Sequence, residues 1–117
     1  MDVTPLIRRD AQIIQSYKGG SFKVSGEVYT QSIAVMADQV VVLNDASDLS
    51  SLLPYSSDIE VILYGTGERL VMPDPAFKRQ VKESLGITPE AMDNGAAART
   101  YNVLMAEGRK VVAILQK

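Results

Sequence analysis

MDNGAAARTYNVLMAEGR, residues 92–109, is the stretch whose reading settles the architecture. Asp93-Asn94-Gly95 has turn chemistry, and the residues after it carry apolar side chains at helical spacing, which predicts a helix over 95–107 ended by Gly108. Steps of about 100° place Ala97, Ala98, Tyr101, Leu104 and Met105 on one arc, which should face a core. Tyr101 then reads as a core aromatic with a tethered hydroxyl. Thr100 falls at the rim of that arc, while Arg99 and Asn102 fall on the other side. Val103 lies opposite the arc, either as an ordinary exposed valine or as a contact with a second copy in a homodimer.

Working outward, each neighbour of this helix reads as a strand. Behind it, Lys110–Leu115 is a run of apolar, partly β-branched residues that fits a strand buried on both faces. Ahead of it come an extended piece, Ile87–Met92, and a helix over 75–85. Asp74 stands as that helix's N-cap, Pro75 takes its first position and Gly86 stops it, while Phe77, Val81 and Leu85 form its apolar stripe. Before this helix lies Val61-Ile62-Leu63-Tyr64, another buried strand. The order is βαβαβ, and short connections with right-handed crossovers imply three parallel strands carrying packed helices.

The amino-terminal half has a different rhythm. Ile13-Ile14, Phe22-Lys23-Val24, Val28-Tyr29, Ile33–Met36 and Val40–Leu43 are short β-like segments separated by turn formers, notably Gly19-Gly20 and Ser25-Gly26. They predict an antiparallel meander that either covers a face of the parallel unit or extends its sheet. Asp48–Pro54 reads as one or two helical turns closed by the proline. The fold class expected is α+β with an α/β-like carboxyl half, a three-layer β/β/α single domain over 1–117 whose residues 1–11 are an extended or loosely ordered lead-in.

Composition narrows the chemistry. The 117 residues are 46% hydrophobic and 22% charged, with a net charge of −2 and neither cysteine nor histidine. Thiolate and imidazole nucleophiles, His- or Cys-ligated metals and disulfides are therefore excluded. The scattered acids form no calcium-type loop, so no metal site is expected, and no cofactor either. Twelve basic residues outnumbered by fourteen acidic ones argue against nucleic-acid binding. The apolar runs fall far short of the about 20 residues of a transmembrane helix. MDVTPLIRRDAQ has two arginines with no apolar run behind them, so neither signal nor transit peptide is expected and a cytoplasmic, bacterial-type protein is.

Two loops carry the residues that packing alone does not explain. Gly65-Thr66-Gly67 follows a strand, yet Glu68–Pro73 after it is not helical, so the dinucleotide fingerprint is incomplete and a sharp turn out of the sheet explains the glycines. In an open α/β sheet, ligands bind beyond the carboxyl ends of the strands, where both this loop and Asp93–Gly95 fall. Unpaired amides at the helix start suit an anion, and Asn94 is an alternative partner for them. The candidate ligand-binding set is Gly65, Thr66, Gly67, Asn94, Gly95, Arg99, Thr100 and Asn102, with no catalytic set recognised.

Taken together, Tyr17-Lys18-Gly19-Gly20-Ser21-Phe22, Gly65-Thr66-Gly67 and the block from Met92 through Arg99-Thr100-Tyr101-Asn102-Val103-Leu104 to Glu107-Gly108-Arg109 have a familiar pattern. The chain resembles the small domain-of-unknown-function family that includes mitochondrial NADH dehydrogenase (complex I) assembly factor 3 and the adipogenesis-associated domain protein. That resemblance covers nearly the whole chain and implies a compact β/β/α fold without established enzymatic activity. It also implies protein partners of the kind met in respiratory-complex assembly. Many relatives carry Thr where this chain has Asn94 and Cys where it has Ala98, so no role of that hydroxyl or thiol carries over. Two functions are therefore expected as rivals: a non-catalytic interaction or assembly-factor-like domain, and a small-molecule or anion site between Gly65–Gly67 and the start of helix 95–107.

Overall fold

The computed structural model describes residues 11–117, and the expectation for the lead-in at 1–10 lies outside the described residues. Ala11 does not belong to a loose segment, because it is 5% exposed and packs in the core. Eight strands follow in chain order: β1 Ile14–Ser16, β2 Phe22–Val24, β3 Glu27–Tyr29, β4 Ser32–Val35, β5 Val40–Leu43, β6 Val61–Gly65, β7 Glu90–Met92 and β8 Val111–Leu115. The helices are α1 Pro75–Leu85 and α2 Asn94–Ala106, with a 3-10 helix at Ser50–Asp58.

A five-stranded mixed sheet in the order β5-β4-β8-β6-β7 is the centre of the molecule. β6 runs parallel to both β7 and β8, as the βαβαβ order requires, while β4 is antiparallel to β8 and to β5. Period-two alternation along β4, β6 and β8 sorts their side chains between two cores. Ile33, Val35, Leu63, Val111, Ala113 and Leu115 point to one face, where α2 and the β1-β2-β3 sheet cover them. Ala34, Ile62, Tyr64, Val112 and Ile114 point to the other, under α1 and the 3-10 helix. Every residue of β8 is buried, the physical meaning of its unbroken apolar run.

The expected meander is thus divided. β1–β3 form an antiparallel sheet of their own and cover a face, whereas β4 and β5 extend the main sheet. The β2–β3 turn is tight because Ser25 and Gly26 both take positive φ, at 47° and 89°. α2 shares the layer of the small sheet, and α1 takes the opposite side. Pro54 does not close its helical segment as its sequence suggests; it lies inside the 3-10 helix, which continues to Asp58.

α1 forms where its local chemistry places it. The Asp74 carboxylate accepts from the Ala76 amide at 2.8 Å, a cap that stabilises by about 1 kcal/mol, and Gly86 ends the helix at φ 77°. Val81 and Leu85 are buried and Phe77 packs against Tyr64 with ring centroids 4.8 Å apart. α2 begins one residue earlier than its pattern suggests, at Asn94, and ends at Ala106. Its inward arc is the expected one, with Ala97, Ala98, Tyr101 and Met105 buried and Leu104 packed at the margin.

Candidate functional site

The carboxyl ends of β6, β7 and β8 meet the start of α2, and main-chain bonds join them. The Thr66 amide donates to Met92 O at 2.8 Å and the Asn94 amide donates to Gly67 O at 2.7 Å. The two loops expected to converge therefore do so. Gly65 permits the approach: a Cβ there would run into the Ile114 carbonyl oxygen and Asn94 Oδ1. Gly67 has open space around it but a φ of 107°, a backbone conformation that favours glycine.

Asn94 does not cap α2. Asp93 does, its carboxylate accepting from the Ala96 amide at 2.8 Å. The Asn94 side chain turns inward, where it is 5% exposed. Its Oδ1 accepts from the amides of Gly67, at 3.1 Å, and Gln116, at 3.2 Å, while its Nδ2 donates to Gln116 O at 2.7 Å. This one amide ties α2 to the ends of β6 and β8, and it spends both acceptor positions of Oδ1 and one N–H of Nδ2 on the fold. Thr66 is likewise engaged: its hydroxyl donates to Arg69 O at 2.6 Å and lies 3.2 Å from Met92 O, while accepting from the Val71 amide at 3.0 Å.

Asn102 lines neither of the clefts at this end of the molecule. Sequence geometry puts it beside Arg99, away from the core arc, but β1 covers that side. Its Oδ1 accepts from the Ile14 amide at 3.1 Å and its Nδ2 donates to Ile14 O at 2.9 Å, so the side chain pairs with β1 as another strand would. Thr100 is half-buried and lines neither of the clefts at this end of the molecule. Tyr101 has the tethered hydroxyl its position predicts, donating to Gln12 O at 2.8 Å.

Two clefts remain, sharing Tyr17, Glu68 and Asn94 as walls. One, of about 390 Å³, reaches past Thr66, Gly67 and Arg69 to Lys117. The other, of about 330 Å³, is lined by Lys18, Asp93, Gly95 and Arg99. Arg99 extends over the helix start, and its Nη1 donates to the Tyr17 hydroxyl at 3.1 Å. Gly95 makes room for this pair, since a Cβ there would lie 3.0 Å from the Tyr17 ring and 3.1 Å from Arg99 Nη1. Of the eight candidates, the structure brings Thr66, Gly67, Asn94, Gly95 and Arg99 to the clefts. It adds Tyr17, Lys18 and Glu68, the first two of which belong to the Tyr17-Lys18-Gly19-Gly20-Ser21-Phe22 stretch of the family pattern.

The nearest phenol on the other face is no ready base. Burial raises the Tyr64 hydroxyl above the ordinary phenol range, with the Asp45 charge adding to the effect, and the group donates to Ala46 O at 2.9 Å. Among the described residues no group of three acids is placed to hold a metal ion. Also among them, no helix is long and apolar enough to cross a membrane.

Residues 14–116 match the family described as protein of unknown function, DUF498/DUF598. The chain belongs to that family. A DUF498/DUF598 protein is thus what the folded βαβαβ unit and its stitched strand ends represent. NADH dehydrogenase [ubiquinone] 1 alpha subcomplex assembly factor 3 of Xenopus tropicalis is 30% identical, over 97% of this chain and 66% of that protein. The chain therefore spans about two thirds of that relative's length. Among solved structures, a crystal structure of a Bordetella parapertussis protein superposes with a TM-score of 0.78 at 34% identity, covering 91% of this chain and 95% of that one. A Bartonella henselae protein described as an outer membrane protein superposes at 0.77 with 31% identity, covering 91% and 94%. These likenesses bear out the α+β fold expected from the sequence.

Proposed function

We propose that this DUF498/DUF598 chain is a non-catalytic interaction domain that acts in the assembly of other proteins. One observation carries the reading: the polar side chains clustered at the start of α2 are spent on the fold. Asp93, Asn94, Tyr101 and Asn102, with Thr66 opposite, all bond to main-chain groups. The likeness to the Xenopus assembly factor supports the same reading, and the partner class we propose from it is a subunit of an NADH dehydrogenase.

The surface best suited to a partner lies beside the clefts. Leu70, Val71 and Met72 are consecutive and 55%, 60% and 67% exposed, on a loop that the Thr66 hydroxyl holds in place. Lys18, Arg69, Arg99 and Lys117 line the adjoining clefts against Glu68 and Asp93, which suits a partner segment both apolar and acidic. Replacing Leu70, Val71 and Met72 together by Ser should leave the melting temperature unchanged and abolish retention of the partner on the immobilised chain. Wild type that retains only itself, or a variant that retains the same partner, would overturn the proposal.

A small anionic ligand in the cleft of Lys18, Gly95 and Arg99 is the second reading, and the Arg99 guanidinium favours it because most of its five donors are not used by Tyr17. The Asp93 carboxylate, already on the helix amides, opposes it. A ligand at about 100 times its Kd raises stability by roughly 2.7 kcal/mol, which corresponds to a melting shift of about 10 °C. A thermal-shift screen of phosphates, nucleotides and carboxylates, repeated on Arg99→Ala, checks it; absence of any shift removes this reading without touching the first.

A further inference from the structure

Asn94-Gly95 is the one place where the chain sets an asparagine before a glycine; Asn44 precedes Asp45 and Asn102 precedes Val103. An Asn-Gly pair is chemically labile, because glycine leaves its own main-chain nitrogen unhindered beside the asparagine side chain. The deprotonated Gly95 nitrogen attacks Asn94 Cγ, the new C–N bond closes a succinimide, and the Cγ–Nδ2 bond breaks to release ammonia. Water then opens the ring at either carbonyl, giving aspartate or isoaspartate. One water is consumed and one ammonia released, and nothing is oxidised or reduced.

The fold blocks this step at each point. Asn94 opens α2, and helical backbone geometry holds the following nitrogen away from Cγ. Three hydrogen bonds, from Gly67 and Gln116 to Oδ1 and from Nδ2 to Gln116 O, fix the side-chain amide, which is 5% exposed to water. Gly95 is confined by Tyr17, Arg99 and Asp93, and Asn94 supplies an acceptor and a donor together.

We propose that Asn94-Gly95 is a latent deamidation site that the native fold keeps closed and that unfolding opens, so that conversion there is a one-way mark of time spent unfolded. The product cannot restore the latch. A carboxylate at position 94 has no N–H for Gln116 O and places a buried charge against that carbonyl. Isoaspartate further inserts a methylene into the main chain at the first turn of α2.

The whole chain, incubated at mildly alkaline pH with and without concentrated guanidinium chloride, tests this by peptide mass spectrometry and isoaspartate detection. In denaturant, Asn94 should convert well ahead of Asn44 and Asn102. In the folded chain its conversion should be slower by at least about 100-fold, since it waits on an opening that exposes little of the population. On removal of denaturant, the fraction regaining the wild-type melting temperature should fall in step with conversion at 94. Asn94→Asp, which reproduces one product, should melt lower or fail to fold. Equal conversion rates in folded and denatured chain, or converted chain that refolds to the wild-type melting temperature, would overturn the proposal.

Discussion

Gly65→Ala is expected to destabilise the chain by about 3 kcal/mol, at the upper end of what overpacking usually costs, and to lower the melting temperature by about 12 °C. The reason is what the added methyl would strike. The Ile114 carbonyl belongs to β8, the fully buried strand beside β6, and has no freedom to retreat. Asn94 Oδ1 is held by two amides, so moving it loosens the start of α2 as well. Gly67→Ala provides the control. That residue has open space and only its φ of 107° to defend, so the cost there should be about 1–2 kcal/mol. Urea denaturation of both variants with unchanged slope measures the difference, and a Gly67→Ala variant less stable than Gly65→Ala would show that the β6 end is not packed as described.

The same two glycines show what a sequence can and cannot disclose. Their turn role is visible in the residues, since Glu68–Pro73 forms no helix behind them. The contact that excludes a side chain at Gly65 involves Ile114 and Asn94, which are distant in the chain. α1 was legible to the residue because Asp74, Pro75 and Gly86 act on their own neighbours. β8 was legible because burial on both faces leaves no polar position in Val111–Leu115. Asp93 and Asn94, by contrast, are both good N-caps, and no local rule chooses between them. The choice is made by Gly67 and Gln116, which draw Asn94 inward and leave the amides to Asp93. The partner of Asn102 is hidden for a related reason: helical spacing gives the direction of a side chain but not what lies there, and β1 comes from 88 residues away. Nor could the meander's division be read, because Thr30-Gln31 between β3 and β4 carries no mark that the chain there passes from one sheet to the next. Of the site, the convergence of the two loops was legible and the occupation of their polar groups was not. That occupation supports the interaction domain that we propose, the first of the two rivals expected from the sequence.

Tyr101 is where the largest single loss of stability is expected. It is fully buried between the main sheet and β1, and it is the largest of the completely buried side chains. Tyr101→Ala removes an aromatic ring from a core shared by Ile14, Val35, Leu63 and Ala113, and should cost about 3–5 kcal/mol. Tyr101→Phe keeps the ring and deletes only the hydroxyl that donates to Gln12 O, with an expected cost of about 1 kcal/mol. The two variants therefore separate packing from tethering. Because that hydroxyl holds Gln12, next to β1, Tyr101→Phe should also speed amide exchange in Gln12–Ser16 while leaving β8 protected. A phenylalanine variant as stable as wild type, with unchanged exchange in β1, would reverse the structural assignment of this side chain.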